Sequence, residues 1–142
     1  IGGTKHWPNY AELCRSISGH QLKIIDHMPQ HLLASAYAAA DVHTLPSWME
    51  TCGLVSLEAA LSGTPLVGST FGHELEYLEN DAWYADPGDA ASLKKAVLGA
   101  LKGGRKHPRA IAMKRKVLER FNWERTVDAT ERLYRRVLER RN

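Results

Sequence analysis

Two carboxylates, Glu50 and Glu58, stand eight positions apart and frame the run Thr51-Cys52-Gly53-Leu54-Val55. The apolar pattern that follows predicts a helix over 53–62, closed by Gly63 just past its end, where glycine is favoured. The first amides of that helix, at Gly53, Leu54 and Val55, have no carbonyl partner four residues back. With the positive end of the helix dipole they form a site for an anion such as phosphate. Gly53 carries no side chain, so the anion is expected to come close to the backbone there. Glu50 falls in the preceding loop. Glu58 falls on the helix among Leu54, Val55, Leu57 and Leu61, which are expected to be packed, and a carboxylate in such company needs a partner. Each acid also has a plainer reading: Glu50 as a solvated loop charge, Glu58 as a partly exposed helix charge.

Other reactive side chains lack the company their chemistry needs. Cys52 sits beside the helix start, which lowers a thiol pKa, but no general base is paired with it. Ser47 and Ser56 have no visible histidine partner, so a nucleophilic serine is not supported. His27 and His31 bracket Pro29 without a third ligand at metal-binding spacing. An acid at Glu76 suits the first turn of a helix.

The elements that must position these residues follow from periodicity and from glycine and proline punctuation. Helices are predicted over 9–18, 29–40, 53–62, 73–79, 89–102, 109–120 and 123–140. Strands are predicted over 21–26, 42–45, 65–68 and 82–84, with the tail of another at Ile1-Gly2-Gly3 and a linker over 103–108. Strands alternating with helices at short spacing imply an α/β fold, a Rossmann-like parallel sheet with helices on both faces. Ligands on such sheets lie beyond the carboxyl ends of the strands, where the loops after 26, 45 and 68 emerge.

At 142 residues one domain is expected, large enough to bury about two thirds of its unfolded surface. A net charge of +3 and a charged fraction of 25% fit an ordinary globular chain. The arginines of the tail alternate with Glu131 and Glu139, and the single aromatic among them, Tyr134, makes no repeated stacking pattern, so no nucleic-acid partner is expected. They leave room for a weak peripheral contact with a membrane. Two cysteines make no disulfide framework, which favours a cytoplasmic setting, and no apolar run reaches spanning length. The sequence opens without methionine and reads as a piece of a longer chain.

Several motifs together resemble a known family. Pro46-Ser47, Glu50, Gly53-Leu54-Val55, Glu58-Ala59-Ala60 and Gly63-Thr64-Pro65-Leu66-Val67 are similar to the C-terminal, donor-binding domain of retaining GT-B glycosyltransferases of the glycogen-synthase-like group 1 family. Glu50 and Glu58 match that family's Glu-x7-Glu. Gly72-His73-Glu74-Leu75-Glu76 is like its Gly-Gly-x-x-Glu, with His73 in place of the second glycine. Asp86-Pro87-Gly88-Asp89 and Phe121-Asn122-Trp123-Glu124 extend the match along nearly the whole chain.

The resemblance implies a donor domain over 1–104, with C-terminal helices over 105–142 that pack on it and towards an N-terminal domain outside this chain. It implies transfer of a sugar from a nucleotide-diphosphate sugar to an acceptor held by that other domain, without a metal or other cofactor. Glu50 would contact the transferred sugar, Thr51 to Val55 the sugar and diphosphate, and Glu58 the ribose. His27 and Met28, in the turn set by Pro29, would lend backbone groups to the nucleobase. The family's first strand–turn–helix unit, with the Arg and Lys that face the pyrophosphate, has no counterpart in the 49 residues before Glu50. The domain is therefore expected to lack its first strands, and this piece alone to be inactive. A non-catalytic nucleotide-sugar binding module, or another GT-B enzyme such as an epimerase, remains the alternative. A phosphorylase would need a pyridoxal-phosphate lysine, for which no motif is present.

Overall fold

The computed structural model describes residues 8–25 and 28–140. The chain divides into two compact units, Ile1–Ser35 and Ala36–Asn142. The first holds α1 (Pro8–Ser18) and a 3-10 turn (Gly19–Gln21). The division falls within α2 (Gln30–Ala39). The second continues with β1 (His43–Thr44), α3 (Leu54–Leu61), β2 (Leu66–Ser69), α4 (Glu74–Leu78), β3 (Trp83–Ala85), α5 (Ala90–Gly103), α6 (Pro108–Arg120) and α7 (Trp123–Glu139). The three strands form one parallel sheet in the order β1-β2-β3, with His43 beside Leu66 and Val67 beside Trp83.

Every residue of β2 is buried, as a central parallel strand requires when both faces are covered. Leu66 faces a core of Ala59 and Ala60 from α3, Leu78 from α4, and Met113 and Val117 from α6. Val67 points the other way, to Ala96 and Ala100 of α5, as successive strand residues must. Helices thus cover both faces of the sheet. Asp89 caps α5 by accepting the Ala91 amide at 2.8 Å, and Gly63 ends α3 at φ +73°. By contrast α7 buries none of its residues.

The strand expected over 21–26 is not formed where it is described. Gln21 closes the 3-10 turn, and residues 22–25 join no ladder. Among the described residues no strand lies beside them, and apolar alternation without a neighbour gives no hydrogen bonds. Asp26, the residues of the Ile1-Gly2-Gly3 reading and His27 lie outside the described residues.

The segment read as a linker holds a structural residue. Arg105 donates to the carbonyls of Ala38 at 2.6 Å and Ala40 at 2.7 Å at the end of α2, and to Ser62 O at 2.9 Å at the end of α3. A guanidinium there satisfies orphan carbonyls and opposes the negative ends of two helix dipoles.

Candidate functional site

Loops leave the carboxyl ends of all three strands on one edge of the sheet. Leu45 N–H extends the β1 ladder to Val67 O at 2.9 Å, and Pro46 stops it. From that loop the indole of Trp48 lies 5.4 Å from the ring of Phe71, in the loop after β2. It also presses on the loop after β3, where a Cβ at Gly88 would stand 2.8 Å from Trp48 Cη2. Trp48 thus touches all three loops, although it is 65% exposed. Its neighbours Ser47 and Met49 gave no sequence signal for it.

Glu50 is half-buried and turns back on its own loop. Its Oε1 accepts the Thr51 amide at 3.0 Å and the Gly53 amide at 3.2 Å. The Gly53 amide, expected to be free for an anion, is therefore occupied. The amides of Leu54 and Val55 have no protein acceptor among the described residues, since Ser56 and Leu57 are the first to bond, both to Gly53 O. Gly53 caps the helix in the left-handed region, at φ +60° and ψ +46°. Its lack of a side chain has a cause inside the protein: a Cβ would stand 2.9 Å from both Glu74 Oε1 and Tyr77 Oη.

The expected packing around Glu58 is corrected. Leu54, Val55 and Leu61 are exposed, and α3 buries Ser56, Ala59 and Ala60 instead. Small side chains face the sheet because α3 packs close to it; Leu57 packs partly against the same core as expected, while Leu54, Val55 and Leu61 are left outside. Glu58 does have a partner within the chain, accepting the Tyr37 hydroxyl at 3.3 Å. Burial, and then the charge of Glu58, push the Tyr37 phenol up. Thr51 and Cys52 are exposed, so Cys52 fills no core space; its carbonyl accepts the Tyr77 hydroxyl at 2.5 Å. Met28 is half-buried and belongs to the other compact unit. Glu76 is exposed and pairs with His73 at 3.1 Å, which fits the plain first-turn reading.

Beneath the loop lies a buried polar cluster that sequence reasoning missed. Glu74 is 0% exposed and accepts Ser56 Oγ–H at 2.5 Å and Ser69 N–H at 3.3 Å. Ser56 therefore has a histidine neighbour after all: His43 Nε2 lies 3.3 Å from its oxygen. With the serine proton on Glu74, His43 must donate from Nε2. Ser56 is 1% exposed and faces no open space, so the trio is no nucleophile. Burial lowers the His43 pKa and keeps the ring neutral. Burial also pushes the Glu74 carboxyl up, its bonds to Ser56 and Ser69 pull it back, and the charge of Glu50 adds to the rise. Tyr84 lies on the same side of Gly68 as Glu74, and its buried hydroxyl has no partner among the described residues. Gly68 was the available signal, since glycine inside an apolar strand marks a close approach.

A cavity of about 450 Å³ lies elsewhere, along the outer edge of β3, lined by Trp83, Tyr84, Ser92, Lys95 and Arg109 among others. It includes none of the loop residues 50–58.

Residues 1–103 match the family model described as glycosyl transferases group 1. A D-inositol 3-phosphate glycosyltransferase of Geodermatophilus obscurus is 34% identical over 122 residues, covering 80% of this chain and 25% of the relative. A glycogen synthase of Mycobacterium tuberculosis is 34% identical over 115 residues, covering 79% of this chain and 28% of the relative. Among solved structures, a sucrose-phosphate synthase of Thermosynechococcus elongatus superposes with a TM-score of 0.81 at 26% identity, covering 96% of this chain and 35% of that one. The chain thus spans about a quarter of the length of these curated relatives.

Proposed function

This chain belongs to the group 1 glycosyl transferases, and from that premise we propose that it holds the sugar-nucleotide donor of a retaining glycosyl transfer. Its parallel sheet with helices on both faces is the fold of the GT-B glycosyltransferases it superposes on. The observation that carries the proposal is the unit from Glu50 to Glu58. At the carboxyl edge of the sheet, two half-buried carboxylates flank the unengaged amides of Leu54 and Val55.

In this reading those two amides and the dipole of α3 face the diphosphate, which carries the charge of the leaving group. Thr51 and Cys52 border the sugar and diphosphate. Gly53 takes a different part, since its amide holds Glu50 in place. Glu50 keeps lone pairs free on Oε2 to orient the hydroxyls of the transferred sugar, so that the acceptor attacks from the face the nucleotide leaves. Glu58 accepts from the ribose hydroxyls, with Tyr37 fixing its rotamer. The family resemblance assigns backbone contacts with the nucleobase to His27, which lies outside the described residues, and Met28. The acceptor is held by a further domain, and charge is balanced by protein groups without a metal or other cofactor.

No helix among the described residues is long and apolar enough to cross a membrane. We place the enzyme in the cytoplasm, with α7 giving at most a weak electrostatic contact to an anionic inner face. The test is calorimetric titration with UDP-, GDP- and ADP-sugars, followed by transfer assays, on the protein expressed from its own gene. One donor that binds and is turned over supports the proposal. Binding without turnover would favour a non-catalytic module, and no binding at all would remove the donor role.

A further inference from the structure

We propose that Glu74 is a positioning residue for Glu50, holding the 50–53 turn where the Glu50 carboxylate meets the Gly53 amide and stays open to a donor. The inference rests on the donor role of Glu50 given above. Glu74 stands at the start of α4 and touches no solvent. One oxygen accepts Ser56 Oγ–H of α3 at 2.5 Å, and the other accepts Ser69 N–H at the end of β2 at 3.3 Å. Through Ser56 it also reaches His43 of β1. One side chain thereby ties four elements together directly beneath the turn that presents Glu50.

The same carboxyl fixes the turn by volume. Its Oε1 lies 2.9 Å from where a Cβ at Gly53 would stand, and its Oε2 lies 2.6 Å from the corresponding point at Gly68. Gly53 is the residue whose amide holds Glu50, at 3.2 Å. A shift of the Glu74 carboxyl is therefore passed to Gly53 by contact and to Glu50 by that hydrogen bond. Ser56 adds a second route, because its amide bonds Gly53 O at 2.8 Å while its hydroxyl is held by Glu74.

Stability alone does not account for an acid here. No cation pairs with Glu74 among the described residues, and a buried carboxyl without one is costly relative to an apolar side chain of similar volume. What an apolar side chain could not do is accept from Ser56 and Ser69 at once. The acid and its two donors form a directional tie, and a directional tie sets the position of the turn above it.

Glu74→Gln keeps the shape but places an N–H₂ where one of two donors must find an oxygen, so it cuts one strand of the tie. Ser56→Ala cuts the same tie from the other side and serves if Glu74→Gln does not fold. The readouts are hydrogen exchange at the Gly53 amide, kcat with the donor, and affinity for the matching nucleoside diphosphate. Exchange at Gly53 is expected to speed up about tenfold or more in either variant, with kcat falling by a similar factor, the usual scale for one bond to a charged group. Nucleoside diphosphate affinity is expected to stay within about twofold, because Leu54, Val55 and Glu58 all lie on α3, which keeps its backbone bonds, and the double variant to be no worse than the worse single one.

Unchanged Gly53 exchange and unchanged kcat in folded variants would overturn the proposal. So would a parallel loss of nucleoside diphosphate affinity and of exchange protection in α5, which would mark a merely structural role. If the wild-type protein binds no sugar nucleotide, the donor reading fails separately, and Gly53 exchange still decides whether Glu74 positions Glu50.

Discussion

Three glycine-to-alanine variants separate the two reasons why Gly53 must be glycine. At Gly53 both act: φ is +60°, and a Cβ would meet Glu74 Oε1 and Tyr77 Oη at 2.9 Å. At Gly63 the backbone reason acts alone, since φ is +73° and the nearest atom is 3.7 Å away. At Gly68 the steric reason acts without a left-handed φ, with Glu74 Oε2 2.6 Å from the added Cβ. A left-handed alanine costs about 1–2 kcal/mol, so Gly63→Ala should lose that much. Forcing a methyl into a packed site costs about 1–3 kcal/mol, the expectation for Gly68→Ala. Gly53→Ala combines both and should lose about 2–5 kcal/mol. The assay is urea unfolding followed by circular dichroism, with the slope checked for constancy across variants. A Gly53→Ala loss no larger than that of Gly63→Ala would refute the reasoning, because Glu74 and Tyr77 would then be free to move aside.

Other consequences can be checked in the same preparations. Glu58→Gln should weaken nucleotide binding by about 1–3 kcal/mol, the scale of a hydrogen bond to a charged group. It should leave stability nearly unchanged, since Gln still accepts from Tyr37; calorimetry and urea unfolding read the two. Arg105→Ala should cost about 1.5–3 kcal/mol of stability by urea unfolding, because it frees carbonyls at the ends of α2 and α3. The folded pKa of Glu74 is raised above its ordinary 4.5, mainly by burial. Its contribution is therefore fully present below that value and is lost as pH rises through the folded pKa. Wild type should lose stability relative to Glu74→Gln over that rise, and a difference that stays flat with pH would contradict it.

Much of the fold was legible because it was punctuated locally. The strands at His43, Leu66 and Trp83 lie between proline, glycine and helix signals, and they form within about a residue of their expected bounds. The segment over 21–26 has the same apolar character, but pairing depends on a neighbour that local sequence does not reveal. The carboxylate pair stood out through its resemblance to a family motif, whereas the state of the Gly53 amide was not legible, since only the folded loop brings Glu50 back onto it. Glu74 and Glu76 look alike in sequence as first-turn acids. Only the approach of Ser56, 18 positions away, makes one of them buried and leaves the other at the surface. Arg105 likewise sat in a polar run, and its partners lie 43 to 68 positions upstream.

The donor role of the Glu50–Glu58 unit is tested most directly by amide chemical shifts, recorded while a nucleoside diphosphate is titrated into the protein. The expected result is that the Leu54 and Val55 amides move most, as they gain an acceptor where none is found among the described residues. Gly53 should move less, because Glu50 already holds its N–H at 3.2 Å. Saturable shifts that leave Leu54 and Val55 unmoved and gather instead along β3 and α5, beside the cavity at Trp83, would contradict it.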